Sequence, residues 1–292
     1  MIVSKRSKKN QTAKGPAPAK GGTSNVVAQA RGAKARAKEP FVRWLWENIK
    51  SLAGAVLIYL VIKTFLMEAF RIPSGSMIPT LMVGDWLFVN KIAYGPHLPF
   101  TSSHLPGYHT PAHGDVVVFV SPYQPDEDAR GADPTPTLVK RLVGTPGDTL
   151  YMRAGTLYRN GIEQSQGFGA SQNWKGTPDE TSPLYDWQHT YELKTSRFGG
   201  APAQPTHDNW GPLVIPAGKY FMMGDNRYCS KDGRYWGLVP RENFRGRPMF
   251  IYYSYRTAIT PEESSDCNPD TSDRVLPFIT DVRWGRIGHW VK

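Results

Sequence analysis

Thr137-Leu-Val-Lys-Arg-Leu-Val143 is a run of apolar and β-branched residues around two adjacent cations, bounded by Pro136 and Gly144. It reads as a β-strand. Alternate strand side chains share a face, so Lys140 points with Leu138 and Leu142, and Arg141 points with Val139 and Val143. An amine on an apolar face loses its water, and burial lowers a lysine pKa from about 10.4 by up to ~3 to 5 units. Such a lysine can serve as a base near neutral pH. Strand lysines more commonly snorkel or occupy exposed edges, so the reading depends on finding a partner for the amine.

Other short runs of the same kind follow. Asp85-Trp-Leu-Phe-Val89, Asp115-Val-Val-Val-Phe-Val120, Lys219-Tyr-Phe-Met-Met223 and Met249-Phe-Ile-Tyr-Tyr253 read as strands, and Thr156-Leu-Tyr-Arg-Asn-Gly-Ile162 carries the Asn-Gly of a tight hairpin. No long amphipathic helical pattern appears beyond residue 70. The expected body is mainly β. Residues 95 to 113 and 164 to 211, rich in Pro, Gly, Ser and His, read as long loops or an inserted, less regular subdomain.

Ahead of the β body lies Leu52-Ala-Gly-Ala-Val-Leu-Ile-Tyr-Leu-Val-Ile62, continued by Lys63 and Thr64-Phe-Leu-Met67. As a helix, Leu52 to Phe70 extends roughly 28 Å, close to the hydrocarbon thickness of a bilayer. Lys63 falls toward the outer end, where it can snorkel, and Trp44 and Trp46 suit the inner interface. A cleaved signal peptide fits less well, because the apolar run is long and its basic preamble far longer; a buried core helix is the other alternative. Residues 1 to 50 carry 12 Lys/Arg against Glu39 and Glu47, so the chain's net charge of +10 resides in this tail and the body is neutral. The positive-inside rule then puts the tail in the cytoplasm and everything after Phe70 outside. A neutral body also argues against nucleic-acid binding. The expected organisation is a disordered basic tail over 1–43, a transmembrane helix over 44–69, a β domain over 70–150 and 216–292, and the inserted subdomain over 151–215.

The partner for the lysine is sought in Arg71-Ile-Pro-Ser-Gly-Ser-Met-Ile-Pro-Thr80, where Pro73 and Pro79 keep Ser74 and Ser76 out of a regular helix. A serine so placed can reach a substrate carbonyl while backbone N–H groups face the oxygen that gains charge. Taken alone, the stretch is an ordinary Ser/Gly/Pro turn. A third stretch, Met223-Gly-Asp-Asn-Arg-Tyr-Cys-Ser-Lys-Asp-Gly-Arg-Tyr-Trp-Gly237, combines turn chemistry with Arg227, Asp232 and Arg234, which can pair and brace it. Its Ser230 hydroxyl can direct a neutral amine.

Five blocks, in order, resemble bacterial type I signal peptidase, also called leader peptidase: Ser76 to Leu81, Gly84-Asp85, Gly114 to Phe119, Lys140 to Asp148, and Gly224 to Arg227 with Ser230 to Arg234. Each block is weakly specific, but five in order behind a membrane span are strongly so. The resemblance implies a signal-peptidase-like antiparallel β fold, a serine endopeptidase, and a Ser-Lys dyad that cuts signal peptides from exported preproteins through an acyl-enzyme. By position, Ser76 is the nucleophile, Lys140 the general base, Ser74 with the Ser76 N–H the oxyanion hole, and Ser230 the group orienting the lysine. Arg141 with Asp225 and Asp232 with Arg234 correspond to structural ion pairs. Phe70, Ile72, Leu87, Val118 and Val139 correspond to pockets for small residues of the Ala-x-Ala type, and Phe119, Leu138 and Met222 to an apolar shell around the lysine. No cofactor or metal is implied. The implied partners are signal peptides, the phospholipid bilayer and the secretion translocon, and the implied location is the bacterial inner membrane with the catalytic body on its periplasmic face.

Two further enzyme readings have weaker support. His97, His104, His109 and His113 share one loop without the helix or third ligand that a zinc site needs, and a self-cleaving repressor-type Ser-Lys protease needs a DNA-binding domain in place of an anchor. An anchored, catalytically silent protein that binds exported chains is the alternative outside enzymes. Cys229 and Cys267 are compatible with a disulfide outside the cytoplasm and equally with two free thiols.

Overall fold

β-branched and aromatic runs build two antiparallel sheets in the computed structural model, which describes residues 41–101, 103–164, 179, 181–194, 197–258 and 267–292. The first sheet contains β1 (Met67–Arg71), β2 (Asp85–Asn90), β3 (Val116–Val120), β4 (Thr137–Gly144), β9 (Lys219–Met223), β10 (Val239–Pro240) and β11 (Phe244–Ser254), in the spatial order β1-β2-β11-β3-β4-β9-β10. The second contains β5 (Thr149–Arg153), β6 (Thr156–Arg159), β7 (Ile162–Glu163) and β8 (Trp210–Val214), in the order β7-β6-β5-β8. The mainly β expectation holds. Asn160 (φ 55°) and Gly161 (φ 86°) form the expected hairpin turn between β6 and β7, both in the left-handed region that a two-residue primed turn requires.

Alternation along the strands divides the first sheet's apolar side chains into two clusters. Leu87, Val89, Val116, Val118 and Ile251 pack with Ile72, Met77 and Leu81 of the loop between β1 and β2. Val117, Phe119, Leu142, Met222 and Phe244 pack with Tyr94 and Trp236. The second sheet closes a third cluster, in which Leu150, Met152, Leu157 and Trp210 meet Val143 of β4 and Phe221 and Met223 of β9. The inserted strands therefore share a core with the first sheet, and the region is more regular than its Pro/Gly/Ser content implies: it also carries a 3-10 helix at Pro183–Thr190.

Helix α1 (Phe41–Val61) continues as a π-helical turn at Ile62–Leu66. Arg43–Leu66, 24 residues of mean hydropathy 1.8, is long and apolar enough to cross a membrane. The helix expected to reach residue 69 or 70 stops sooner, because Met67–Arg71 pairs as β1 with β2 in the register Ala69 to Phe88 and Phe70 to Leu87. Ladder pairing and partial burial of Phe70 outweigh the lack of any helix-stopping residue there. Of the basic tail expected over 1–43, residues 1–40 lie outside the described residues and Phe41 already begins the helix. Cys229 and Cys267, left open by the sequence, are joined in a disulfide with their Cα atoms 5.5 Å apart.

Candidate active site

Ser76 stands on a single 3-10 turn, Gly75–Met77, between β1 and β2. The flanking prolines limit the turn, and its neighbours anchor it. The loop is closed by Ile72 N–H to the Asp85 carbonyl (2.8 Å) and Gly84 N–H to the Ile72 carbonyl (3.0 Å). Met77 and Leu81 are fully buried in the core. From the other side, Asn226 donates its N–H to the Ser76 carbonyl at 3.1 Å and its Nδ2 to the Gly75 carbonyl at 3.2 Å. Gly224 passes so near that a β-carbon on it would lie 2.4 Å from the Ser76 carbonyl oxygen.

Lys140, in β4 opposite Val117 of β3, reaches into this loop. Its Nζ lies 2.6 Å from Ser76 Oγ, and only 4% of the residue is exposed. Burial pushes the amine down from 10.5 to about 8, against the pull of Asp232 and Asp225 and with help from Arg234. The Ser74 hydroxyl lies 3.5 Å from that of Ser76.

Two buried ion pairs frame the amine. Arg141 grips Asp225 through Nε and Nη2, each at 2.7 Å, and also donates to the Gly114 and Lys292 carbonyls. Arg234 meets both Asp232 oxygens at 2.9 Å, with neither side chain exposed. Burial works to raise the Asp232 carboxyl, but Arg234 and the N–H groups of Gly224 and Arg234 outweigh it and hold the group below the usual carboxylate range. Each charge is thereby compensated within a hydrogen-bonded pair, the condition for burying ions.

Phe70, Ile72 and Val139 line a groove of about 110 Å³ that ends at Ser74, Ser76 and Lys140. Leu87 and Val118 are fully buried in the cluster beneath it, so they shape the floor from behind. Ser230 packs beside Gly224, where an added β-carbon would lie 2.3 Å from its hydroxyl, but it makes no hydrogen bond to the lysine; that buried hydroxyl is without a partner among the described residues. The sequence presents Asn226 only as turn chemistry, and nothing in one chain distinguishes an Asn that caps its own turn from one that holds another loop. Three histidines of the 95–113 loop have separate tasks: His97 faces the Phe244 carbonyl, His109 binds Asp115 at 2.8 Å, and His113 faces the Val143 carbonyl.

Known proteins resemble this chain over most of its length. The family model described as "Signal peptidase, peptidase S26" matches residues 45–253. Signal peptidase I of Pseudomonas fluorescens is 37% identical over 231 residues, covering 75% of each chain, and that of Pseudomonas aeruginosa is equally similar over the same extent. Signal peptidase I of Aquifex aeolicus is 31% identical over 83% of this chain and 97% of its own length. The match begins in the membrane-length helix, runs through the Ser76 turn and both buried ion pairs, and ends in β11, and on these grounds the chain belongs to the signal peptidase family of serine peptidases, peptidase S26.

Proposed function

We propose that the chain cleaves N-terminal signal peptides from exported preproteins after small residues of the Ala-x-Ala type, with Ser76 as nucleophile and Lys140 as general base. The observation that carries this reading is the 2.6 Å approach of a buried amine of pKa about 8 to Ser76 Oγ. At pH 7 roughly one such amine in ten is neutral, against about one in three thousand for a lysine titrating at its ordinary value. That gain makes a lysine serviceable as a base without histidine.

Ser76 Oγ attacks the scissile carbonyl carbon while Lys140 Nζ takes the hydroxyl proton. The oxyanion is held by the Ser74 hydroxyl and the Ser76 N–H. As the C–N bond breaks, Lys140 returns the proton to the departing amine, leaving an ester between the signal peptide and Ser76. Lys140 then deprotonates a water that attacks this acyl-enzyme, and passes that proton to Ser76 as the ester opens. Ser230 turns its hydroxyl to the neutral amine and directs it during these transfers.

The substrate fits as an added strand. On its β9-facing side β4 pairs only from Arg141 onward, and β1 is the edge of its sheet. An extended peptide laid beside Thr137–Val139 gains main-chain hydrogen bonds and presents alternate side chains to the groove. A space of about 110 Å³ takes a methyl or similar small group. The membrane-length helix supports anchoring at the inner membrane, and the basic tail supports a cytoplasmic N-terminus. The Cys229–Cys267 bridge agrees with a body on the oxidising, periplasmic side, where the secretion translocon is the expected neighbour.

The test uses purified full-length protein and a precursor with an Ala-x-Ala site. Ser76→Ala and, separately, Lys140→Ala are expected to remain folded and to yield no mature product when precursor mass and the new N-terminus are read. Cleavage at the same bond by either variant overturns the dyad; a folded wild type that binds precursor but never cuts it would favour a silent binding protein.

A further inference from the structure

Two other stretches of chain bear directly on the Gly75–Ser76 backbone. One is the turn from Gly224 to Asn226, which supplies the two Asn226 hydrogen bonds and the close Gly224 contact. The other is Cys267. A β-carbon on Gly75 would lie 1.9 Å from the Cys267 carbonyl oxygen, so the absence of a side chain lets that carbonyl rest against the turn. Cys229 extends the first stretch, its N–H donating to the Asn226 carbonyl at 3.2 Å. The disulfide from Cys229 to Cys267, across 38 residues, thus joins two segments that touch the nucleophile's own backbone.

The second segment has no ladder to hold it. Cys267 to Arg274 forms neither strand nor helix. Farther along, Ser272 N–H meets the Thr257 carbonyl at 2.9 Å, and Asp270 pairs with Arg256 and Arg283 at 2.5 and 2.8 Å. These ties fix the segment's far end. At its near end the covalent link holds Cys267 in register with the Asn226 turn.

We propose that the Cys229–Cys267 disulfide is a positioning device for catalysis, holding the Gly75–Ser76 turn at the distance from Lys140 that proton transfer needs. The proposal rests on the Ser76–Lys140 reading above. Lys140 belongs to β4 and is held by sheet pairing, whereas Ser76 is held by loops, so loosening the clamp moves one partner and leaves the other. The apolar walls of the groove are held apart from the clamp, although its end at Ser74 and Ser76 belongs to the clamped loop: Phe70 pairs within β1, Val139 within β4, and Ile72 is pinned by its hydrogen bonds to Asp85 and Gly84. Opening the bridge is therefore expected to lower kcat and leave KM nearly unchanged. A misplacement of about 1 Å at reacting atoms lowers rates by up to ~100-fold, so a fall of about 10- to 100-fold is expected.

The experiment compares three forms of the full-length protein on an Ala-x-Ala precursor. These are the oxidised wild type, the wild type reduced with dithiothreitol, and the double variant Cys229→Ser/Cys267→Ser. Alkylation and mass measurement count the thiols, and the assay temperature is one at which the reduced protein keeps the circular dichroism of the oxidised form. The expected result is a low kcat with KM within about twofold in both unbridged forms, restoration on reoxidising the wild type, and no response of the double variant to reductant. If the double variant does not fold, the reversible reduction of the wild type decides alone. Gly75→Ala, which thrusts a β-carbon at the Cys267 carbonyl with the bridge intact, should likewise reduce kcat selectively. Unbridged forms with wild-type kcat, or a loss accounted for by KM, would overturn the proposal. An active Ser76→Ala variant would instead sink the dyad reading, and an inactive Ser76→Ala beside a fully active double variant would sink this inference alone.

Discussion

Replacing Lys140 with methionine should abolish cleavage and make the protein more stable at neutral pH. The amine is buried, and its fall from 10.5 to about 8 means that folding works against protonation. A fall of this size corresponds to about 3 kcal/mol of folding free energy withheld below pH 8. Methionine has similar length and no charge, so it removes the penalty and forfeits the hydrogen bond to Ser76, worth about 1 kcal/mol. The net gain is about 2 kcal/mol, or roughly 4 to 8 °C in Tm for a body of this size. The sign with pH follows from proton binding. Between about 8 and 10.5 the unfolded lysine holds a proton that the folded one has lost, so wild-type stability rises with pH across that window while the variant gains nothing. Thermal unfolding of both proteins at pH 7 and again at pH 10.5 reads the difference. A variant less stable than wild type at pH 7, or a gap of equal size at both pH values, would refute the claim that the amine is held against its own solvation.

Ser230→Ala should lower kcat by about tenfold or more without lowering Tm, since its hydroxyl has no hydrogen-bond partner among the described residues and is proposed to direct the amine only during turnover. A loss of stability with unchanged kcat would leave Ser230 a packing residue. Val139→Ala should widen the groove by roughly two methyl groups and admit residues larger than alanine at the cut; cleavage of a panel of precursors varied at that position reads it, and an unchanged preference would remove Val139 from the pocket.

The parts of the fold visible in sequence are those with local chemistry. β2, β3, β4 and β9 stand out as short apolar runs between turn residues, and Asn160-Gly161 marks its own hairpin. β1 is hidden because Met67-Glu-Ala-Phe70 follows the apolar helix without a turn residue between them, and only pairing with β2 distinguishes strand from helix there. β8 is hidden because Trp210-Gly-Pro-Leu-Val214 contains the two residues that usually end strands, although its neighbours β5 and the third core cluster accept them. At the site, strand alternation by itself puts the amine on the face of Leu138 and Leu142, and those two leucines pack with Phe119 and Met222 while Lys140 is buried. Contacts across large sequence distances are not legible. Nothing local shows that Asn226 holds Ser76, or that Cys267 rests on Gly75.

The pH dependence of kcat/KM tests the central claim most directly, because it reports ionisation of the free enzyme's essential base. With Lys140 as the base, the rate is expected to rise about tenfold per pH unit below neutrality and to level off with a midpoint near the Lys140 value of about 8. A profile flat from about pH 6 to 9, or a midpoint at the ordinary lysine value, would contradict it.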